Sequence, residues 1–429
     1  MKYSIVTFGC RVNQADSLRL EEDLRVLGGV ETASRDADVV IVNTCSVTAS
    51  ADQGARQTIR RIARENPTAK IVATGCYATR CEDEVAALPG VVRVIRNDEK
   101  LTLLTDPYVA QTFRSASTST AERDGHGPCG SAIEPGVAGR TAFTIRAQTG
   151  CVEQCAYCII PSTRGASRSR PLAELVAEIA RVADAGFKEV TITGVHLGSY
   201  GRDLEPRASL YELLRAVDAI PGDVTFRVSS LEPMDCTPEI VALVASSGRF
   251  LPHFHLPLQH ASDRMLASMR RPYTLDEYRR LVDSIASRLP HASIGSDLIV
   301  GFPGETDADF AATVGYLPSS PLTHLHVFPY SDRPGTEASA MANKVHGAVI
   351  RDRGTALRDI GAALSQRFRA SQAGTVRPGL TLEDGTLVVT DNYLKVRIGA
   401  GTPRNTRVMV QLGPVSPTFM SGVVVSATS

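Results

Sequence analysis

The sequence predicts an α/β protein in three parts: a small parallel-sheet domain, a partial (β/α) barrel and a small all-β barrel. Three observations predict it. Short apolar runs alternate with amphipathic helical stretches over residues 1–104. The alternation resumes over 140–344, after an interval rich in Ser, Thr, Gly and Pro. From residue 374 the chain turns to short strands punctuated by Gly and Pro.

In the first part, residues 2–8, 38–43 and 70–74 read as apolar strands. Residues 14–27 and 49–65 have helical periodicity, the first ending at Gly28-Gly29 and the second before Pro67. Strands separated by helices favour a parallel sheet covered on both faces. Residues 105–139 have the composition of a linker. The second series has strand candidates at 142–147, 189–193, 225–229, 253–256, 293–300 and 324–328, with helical patterns between them. Six strand–helix repeats suggest an open or incomplete (β/α) barrel. A long connecting helix is expected over 345–373. Short strands follow at 387–390, 393–398 and 407–412, the pattern of a small β barrel spanning 374–429.

The chain has 429 residues, 43% hydrophobic and 21% charged, enough apolar material for more than one core. Formal net charge is zero, so a nucleic-acid partner would need a local basic face. The first ten residues are too short and polar for a signal peptide, and no apolar run is long enough to span a bilayer. A cytoplasmic setting is therefore expected, in which nine cysteines are better explained by metal ligation than by disulfides.

Three cysteines stand as Cys151-x-x-x-Cys155-x-x-Cys158, directly after the first barrel strand. Three thiolates can hold a 4Fe-4S cube and leave one iron without a protein ligand, free to chelate the amino and carboxylate groups of S-adenosylmethionine (SAM). Zinc sites usually show paired units that give four ligands. Tyr157, between two of the thiols, could shield the cofactor or simply pack. Cys10, Cys45 and Cys76 each end a predicted strand. In a parallel sheet such ends share one edge, so the three could converge on a second cluster; the competing reading is buried structural cysteines. Cys81, Cys129 and Cys236 show no partner pattern.

The stretch Cys151-Val-Glu-Gln-Cys155-Ala-Tyr-Cys158-Ile-Ile-Pro161-Ser-Thr-Arg164-Gly165 resembles the radical SAM signature of the methylthiotransferases. The resemblance runs the whole chain, including a C-terminal part that looks like a TRAM domain. Gly9-Cys-Arg-Val-Asn-Gln14, Thr74-Gly-Cys-Tyr77, Thr193-Gly-Val-His-Leu-Gly198 and Thr323-His-Leu-His-Val-Phe-Pro-Tyr330 are most similar to the branch acting on N6-threonylcarbamoyladenosine at tRNA position 37. One departure is Pro257-Leu-Gln-His-Ala-Ser262, where Ala261 requires a turn without positive φ.

The resemblance implies two 4Fe-4S clusters, on Cys151, Cys155 and Cys158 and on Cys10, Cys45 and Cys76, together with SAM. It implies a tRNA substrate and an electron donor such as a flavodoxin or ferredoxin. Thr193, Gly194, Arg227, Ser229, Glu232 and Asp297 stand at strand ends where they could serve SAM, the alternatives being turn and ion-pair roles. Arg164, Arg168 and Arg170, and the alternating Tyr393, Lys395 and Arg397, could meet RNA. Competing functions are methylthiolation of isopentenyladenosine tRNA or of a ribosomal protein, and a non-catalytic iron–sulfur RNA-binding or redox-sensing protein. An iron left open to SAM argues against the last.

Overall fold

The computed structural model describes residues 1–100, 103, 134–135, 141–416 and 419–428. The expected linker, apart from 134–135, and Cys129 lie outside them. The chain divides into two compact units. One comprises residues 1–133, 149–154 and 158–168; the other comprises 134–148, 155–157 and 169–429.

In the first unit, β1 (Lys2–Thr7), β2 (Val30–Glu31), β3 (Val39–Thr44), β4 (Lys70–Gly75) and β5 (Val91–Ile95) form one sheet in the order β2-β1-β3-β4-β5. Every pairing is parallel. The central strand β3 is buried at all six positions, as a strand covered on both faces must be. Its alternation splits the core in two. Val40 and Val42 pack with Ile59 and Ile62 of the helix Ala49–Glu65. Val39 and Ile41 pack on the other face with Leu20 and Leu24 of the helix Arg11–Val26. Thr48 caps the second helix, its side chain accepting from the Ala51 amide.

In the second unit, six parallel strands follow one another: β6 (Phe143–Thr149), β8 (Glu189–Gly194), β9 (Thr225–Val228), β10 (His253–His255), β11 (Ser293–Val300) and β12 (His324–Pro329). The short β7 (Arg168–Ser169) lies at the outer edge of β6. The strands form two arcs, β7-β6-β8-β9 and β10-β11-β12, joined between Phe226 and Phe250 by a single bridge. This is the partial barrel that the six repeats predict. Capping boxes start three of its helices, at Ser209 with Glu212, Thr274 with Glu277 and Thr306 with Asp309. The helix Gly347–Gln372 covers one face of β11 and β12: a Cβ on Gly354 would lie 3.7 Å from Val300, and one on Gly361 3.2 Å from Leu325. Ala261 avoids positive φ; in its turn Gln259 takes the left-handed conformation instead.

The same unit ends in a closed barrel of β13 (Val376–Leu382), β14 (Leu387–Thr390), β15 (Lys395–Arg397), β16 (Arg407–Val415) and β17 (Met420–Thr428), in the order β13-β14-β15-β17-β16. Val388, Val396, Val408, Val410, Leu412 and Met420 form its core. Hydrogen bonds tie it to the partial barrel, among them Asn392 to the His291 carbonyl (3.0 Å), Arg407 to the Lys188 carbonyl (2.8 Å), Asn405 to the Gly186 carbonyl (2.9 Å) and Arg227 to the Asp391 carbonyl (3.1 Å).

Ile41 is fully buried at the middle of β3. Ile41→Ala should lower unfolding stability by about 3 kcal/mol, through lost transfer energy plus a cavity, with no loss of side-chain chemistry. Urea denaturation of the metal-free protein measures it, and a cost below about 1 kcal/mol would show that this sheet is not a close-packed core.

Candidate functional site

Because β1, β3 and β4 are adjacent and parallel, their C-terminal ends stand side by side; β3 and β4 run directly into a cysteine, and β1 reaches Cys10 after Phe8 and Gly9. Cys10 precedes the helix Arg11–Val26, Cys45 follows Thr44, and Cys76 follows Gly75 and opens a short helix. Cys10 is exposed, while Cys45 and Cys76 are buried. Two glycines permit the approach. Gly9 lies at φ +86° against Cys45, and a Cβ there would collide with the thiol; Gly75 lies at φ +98° against the backbone of Thr44. Burial pushes the Cys45 thiol up to about 11, and the neighbouring Cys10 and Cys76 add to the shift. Cys76 is still more deeply buried, which alone would raise it. Arg164 and Lys100 outweigh the burial and hold it below the ordinary thiol value.

The two cations come from distant parts of the sequence but the same unit. Lys100 donates to Asp16 (2.9 Å) and to Asn43 Oδ1 (3.0 Å). Arg164, at the end of the turn Ile160–Arg164, donates to Asn13 Oδ1 (2.5 Å) and lies 3.4 Å from the same Asp16 carboxylate. All three charged groups are buried. Two cations against one carboxylate leave an unmatched positive charge beside Cys76, which is costly in a low-dielectric site unless an anion joins them. Thiolates bound to an iron–sulfur cube supply that anion, so the donor set and its surroundings fit such a group. This overturns the expectation that Arg164 meets RNA: it is 4% exposed, and its guanidinium is spent on Asn13, Asp16 and Cys76.

Cys151, Cys155 and Cys158 lie in the irregular segment between β6 and the turn at 160–164, all partly exposed. Gly150, at φ +75° against the Ala166 carbonyl, admits this segment. In the second unit, Arg271 donates to Cys155 Sγ (3.0 Å) and to the Tyr273 hydroxyl (3.1 Å), and it pairs with Glu232. Its side chain is 2% exposed, so a fixed guanidinium stands on a candidate cluster ligand. Tyr157 packs beside Ala156, Met265, Met269 and Phe302.

The strand-end residues fall into two groups. Thr193 and Ser229 end adjacent strands and share a hydrogen bond of 3.0 Å, next to Gly194. Glu232 is held by Arg271, and Asp297 accepts from His255 (2.9 Å) and His326 (3.1 Å). Arg227 departs from its expected role at SAM. It is 2% exposed, pairs with Glu189 (3.0 Å), and reaches the closed barrel through Asp391. Tyr393 sits at φ +68° in the turn before β15, not on the strand itself, and its ring packs 4.5 Å from His253, with the Arg227 guanidinium 4.8 Å away. It is exposed, as are Lys395 and Arg397 on β15, with Leu394 and Val396 buried between them. Arg168 is exposed, and Arg170 pairs with Glu178 (2.6 Å). Sequence reasoning missed Lys100, Asp16, Arg271, His255 and His326. No local spacing marks them, since each acts on a partner brought close by folding.

Residues 2–96 match the family described as Uncharacterized protein family UPF0004, and residues 145–317 match the Radical SAM superfamily. Over 401 residues the chain is 36% identical to a threonylcarbamoyladenosine tRNA methylthiotransferase of Aquifex aeolicus, covering 92% of this chain and 96% of that one. It is 33% identical to the protein of the same name in Bacillus subtilis, over 91% of this chain and 88% of that one. It is also 33% identical to a tRNA-2-methylthio-N(6)-dimethylallyladenosine synthase of Streptomyces avermitilis, over 82% of this chain and 70% of that one. Among solved structures, the radical S-adenosylmethionine methyltransferase TsrM of Kitasatospora setae shares the fold, with a TM-score of 0.56 and 16% identity over 79% of this chain and 73% of that one.

In cluster-loaded protein, Arg164→Met should destabilise the fold by about 3 kcal/mol, because the anionic site at Cys76 and the Asn13 amide lose their buried cationic partner. Arg164→Lys should cost less, since it keeps the charge and loses the planar fork. Equal denaturation midpoints for wild type and Arg164→Met would contradict the charge balance described for this edge.

Proposed function

This chain belongs to the methylthiotransferase family of radical SAM proteins, and on that premise we propose that it adds a methylthio group to C2 of N6-threonylcarbamoyladenosine at position 37 of tRNA. The observation that carries the reading is the pair of three-thiol sets, one at the parallel strand ends and one after β6. The choice of base rests on the relatives named for threonylcarbamoyladenosine, which align over most of this chain.

In this reading Cys151, Cys155 and Cys158 would hold the 4Fe-4S cluster that serves SAM, and Cys10, Cys45 and Cys76 would hold a second. When bound, these groups supply the one-electron chemistry that an unactivated aromatic C–H requires and that side-chain acids and bases cannot provide. The chain's own residues do the rest. Arg271 fixes the orientation of Cys155 and donates a hydrogen bond to its sulfur. Lys100 and Arg164 balance the negative charge gathered at Cys76. Thr193, Gly194 and Ser229 form the strand-end floor against which SAM lies, and Glu232 acts through Arg271. Arg168, Lys395 and Arg397 are the exposed cations among those expected to meet RNA, and their contacts are to phosphate. A modified base in the anticodon loop is single-stranded, so it reaches the barrel without opening a duplex. The electron donor is a small redox protein such as a flavodoxin or ferredoxin.

Anaerobically reconstituted protein should hold about eight iron atoms, four for each cube, and the Cys151/Cys155/Cys158 triple Ala variant about four. Full iron content in that variant would remove the ligand assignment. The substrate is tested with two tRNA pools, one carrying threonylcarbamoyl on adenosine 37 and one lacking it. Methylthiolation should be confined to the first. Equal modification of both, or activity only on isopentenyladenosine tRNA, would overturn the substrate and leave the enzyme class standing.

A further inference from the structure

Four of the nine histidines stand on β10 and β12, on either side of β11: His253 and His255, and His324 and His326. Strand alternation puts them on the face opposite Leu325 and Val300, which meet the covering helix. They therefore line the inner face of the arc. Gly295, between His255 and His324 in register, leaves room for the His324 ring. One position further along the inner face, Asp297 lies opposite His326 and accepts from both His255 Nε2 and His326 Nδ1. His255 is fixed from behind by the Ser230 hydroxyl, 2.6 Å from Nδ1.

The loop after β9 connects this triad to the cluster segment. Ser229 meets Thr193, Ser230 meets His255, and Glu232 meets Arg271, which contacts Cys155. The triad thus borders the same barrel end as the SAM-cluster thiol. Within it His326 is the outermost member, with a side chain 56% exposed. Its Nδ1 is occupied by Asp297, and among the described residues no hydrogen bond engages Nε2.

We propose that His255, Asp297 and His326 form the subsite for the polar appendage on N6 of the target adenosine, with His326 Nε2–H donating to a carboxylate or carbonyl oxygen of its carbamoyl-threonine group. The proposal rests on the substrate reading above and deepens it. A carbamoyl-threonine group offers several oxygen acceptors, whereas a dimethylallyl group is pure hydrocarbon and offers none. A wall that presents a fixed N–H to the base gains from the first and leaves its donor unpaired with the second, which is the strongest form of discrimination a binding site has. The hydrogen bond to Asp297 also favours the protonated imidazole, whose Nε2 is then a donor. Both ring nitrogens engage the same Asp297 oxygen, Oδ1, which holds the two imidazoles in one arrangement. His324 stays neutral behind them, its burial pulling it down to about 4.

The test uses full-length protein with both clusters loaded and anticodon stem-loops that carry threonylcarbamoyl, dimethylallyl or no group on adenosine 37. Wild type should bind the threonylcarbamoyl stem-loop tightest. His326→Phe should weaken that binding about 10- to 100-fold while changing affinity for the unmodified stem-loop little, as expected for loss of one charge-assisted hydrogen bond. His326→Gln, which retains an N–H donor, should recover part of the difference. Iron content checks that the variants are folded and loaded. An equal loss on all three stem-loops, or no loss on any, overturns the subsite. Failure of wild type to prefer threonylcarbamoyl overturns the substrate reading instead. Metal analysis gives the remaining outcome. A further stoichiometric divalent cation, present in wild type and absent in Asp297→Asn, would make the triad a metal site and would also overturn the proposal.

Discussion

Strand direction is the constraint on which both sites depend. In a parallel sheet every C-terminal end faces the same way, so residues far apart in sequence meet if each directly follows a strand. Cys10, Cys45 and Cys76 are separated by more than thirty residues at each step, yet β1, β3 and β4 are neighbours, and the thiols arrive at one edge. The glycines at 9 and 75 follow from the same crowding, because the chain must leave each strand without a side chain in the way. In the partial barrel the same rule gathers Thr193, Ser229, Glu232 and the segment bearing Cys155.

Charge is the second theme, and it explains residues that look out of place. Buried arginines and lysines are expensive, and here Lys100, Arg164 and Arg271 are used beside sulfur while Arg227 locks elements together. Lys100 and Arg164 share Asp16 and hold a positive field at Cys76, while Arg271 stands on Cys155. Each thiol set therefore has a buried guanidinium at one of its members. Hydrogen bonds to cluster sulfurs are among the factors that set reduction potential, so with clusters on these thiols, as proposed above, the contacts would connect charge balance to redox chemistry.

Arg227 illustrates how a residue with a plausible chemical role is consumed by architecture. Its guanidinium pairs with Glu189, covers Tyr393 and donates to Asp391, joining the partial barrel to the closed barrel. Tyr393 takes part in the same joint through His253. The C-terminal barrel is thus fixed to β9 and β10, and it presents Lys395 and Arg397 outward from that mooring.

Much of the fold was legible in the sequence because its signals are local. Alternating strands and helices, Gly and Pro punctuation, and the spacing of Cys151, Cys155 and Cys158 each reside in short stretches, and the six barrel strands appear where apolar runs predict them. The convergence of Cys10, Cys45 and Cys76 was legible only through a rule about strand ends. What the tertiary structure alone decided is the use of charged and polar side chains. A buried arginine and an exposed one have the same local sequence signature, so Arg164 and Arg227 were read as ligand contacts, whereas the structure buries both among internal partners. Conversely, Arg271, Lys100, His255 and His326 were not singled out as site residues, because the atom each one touches lies tens of residues away and is brought near only when the sheets form.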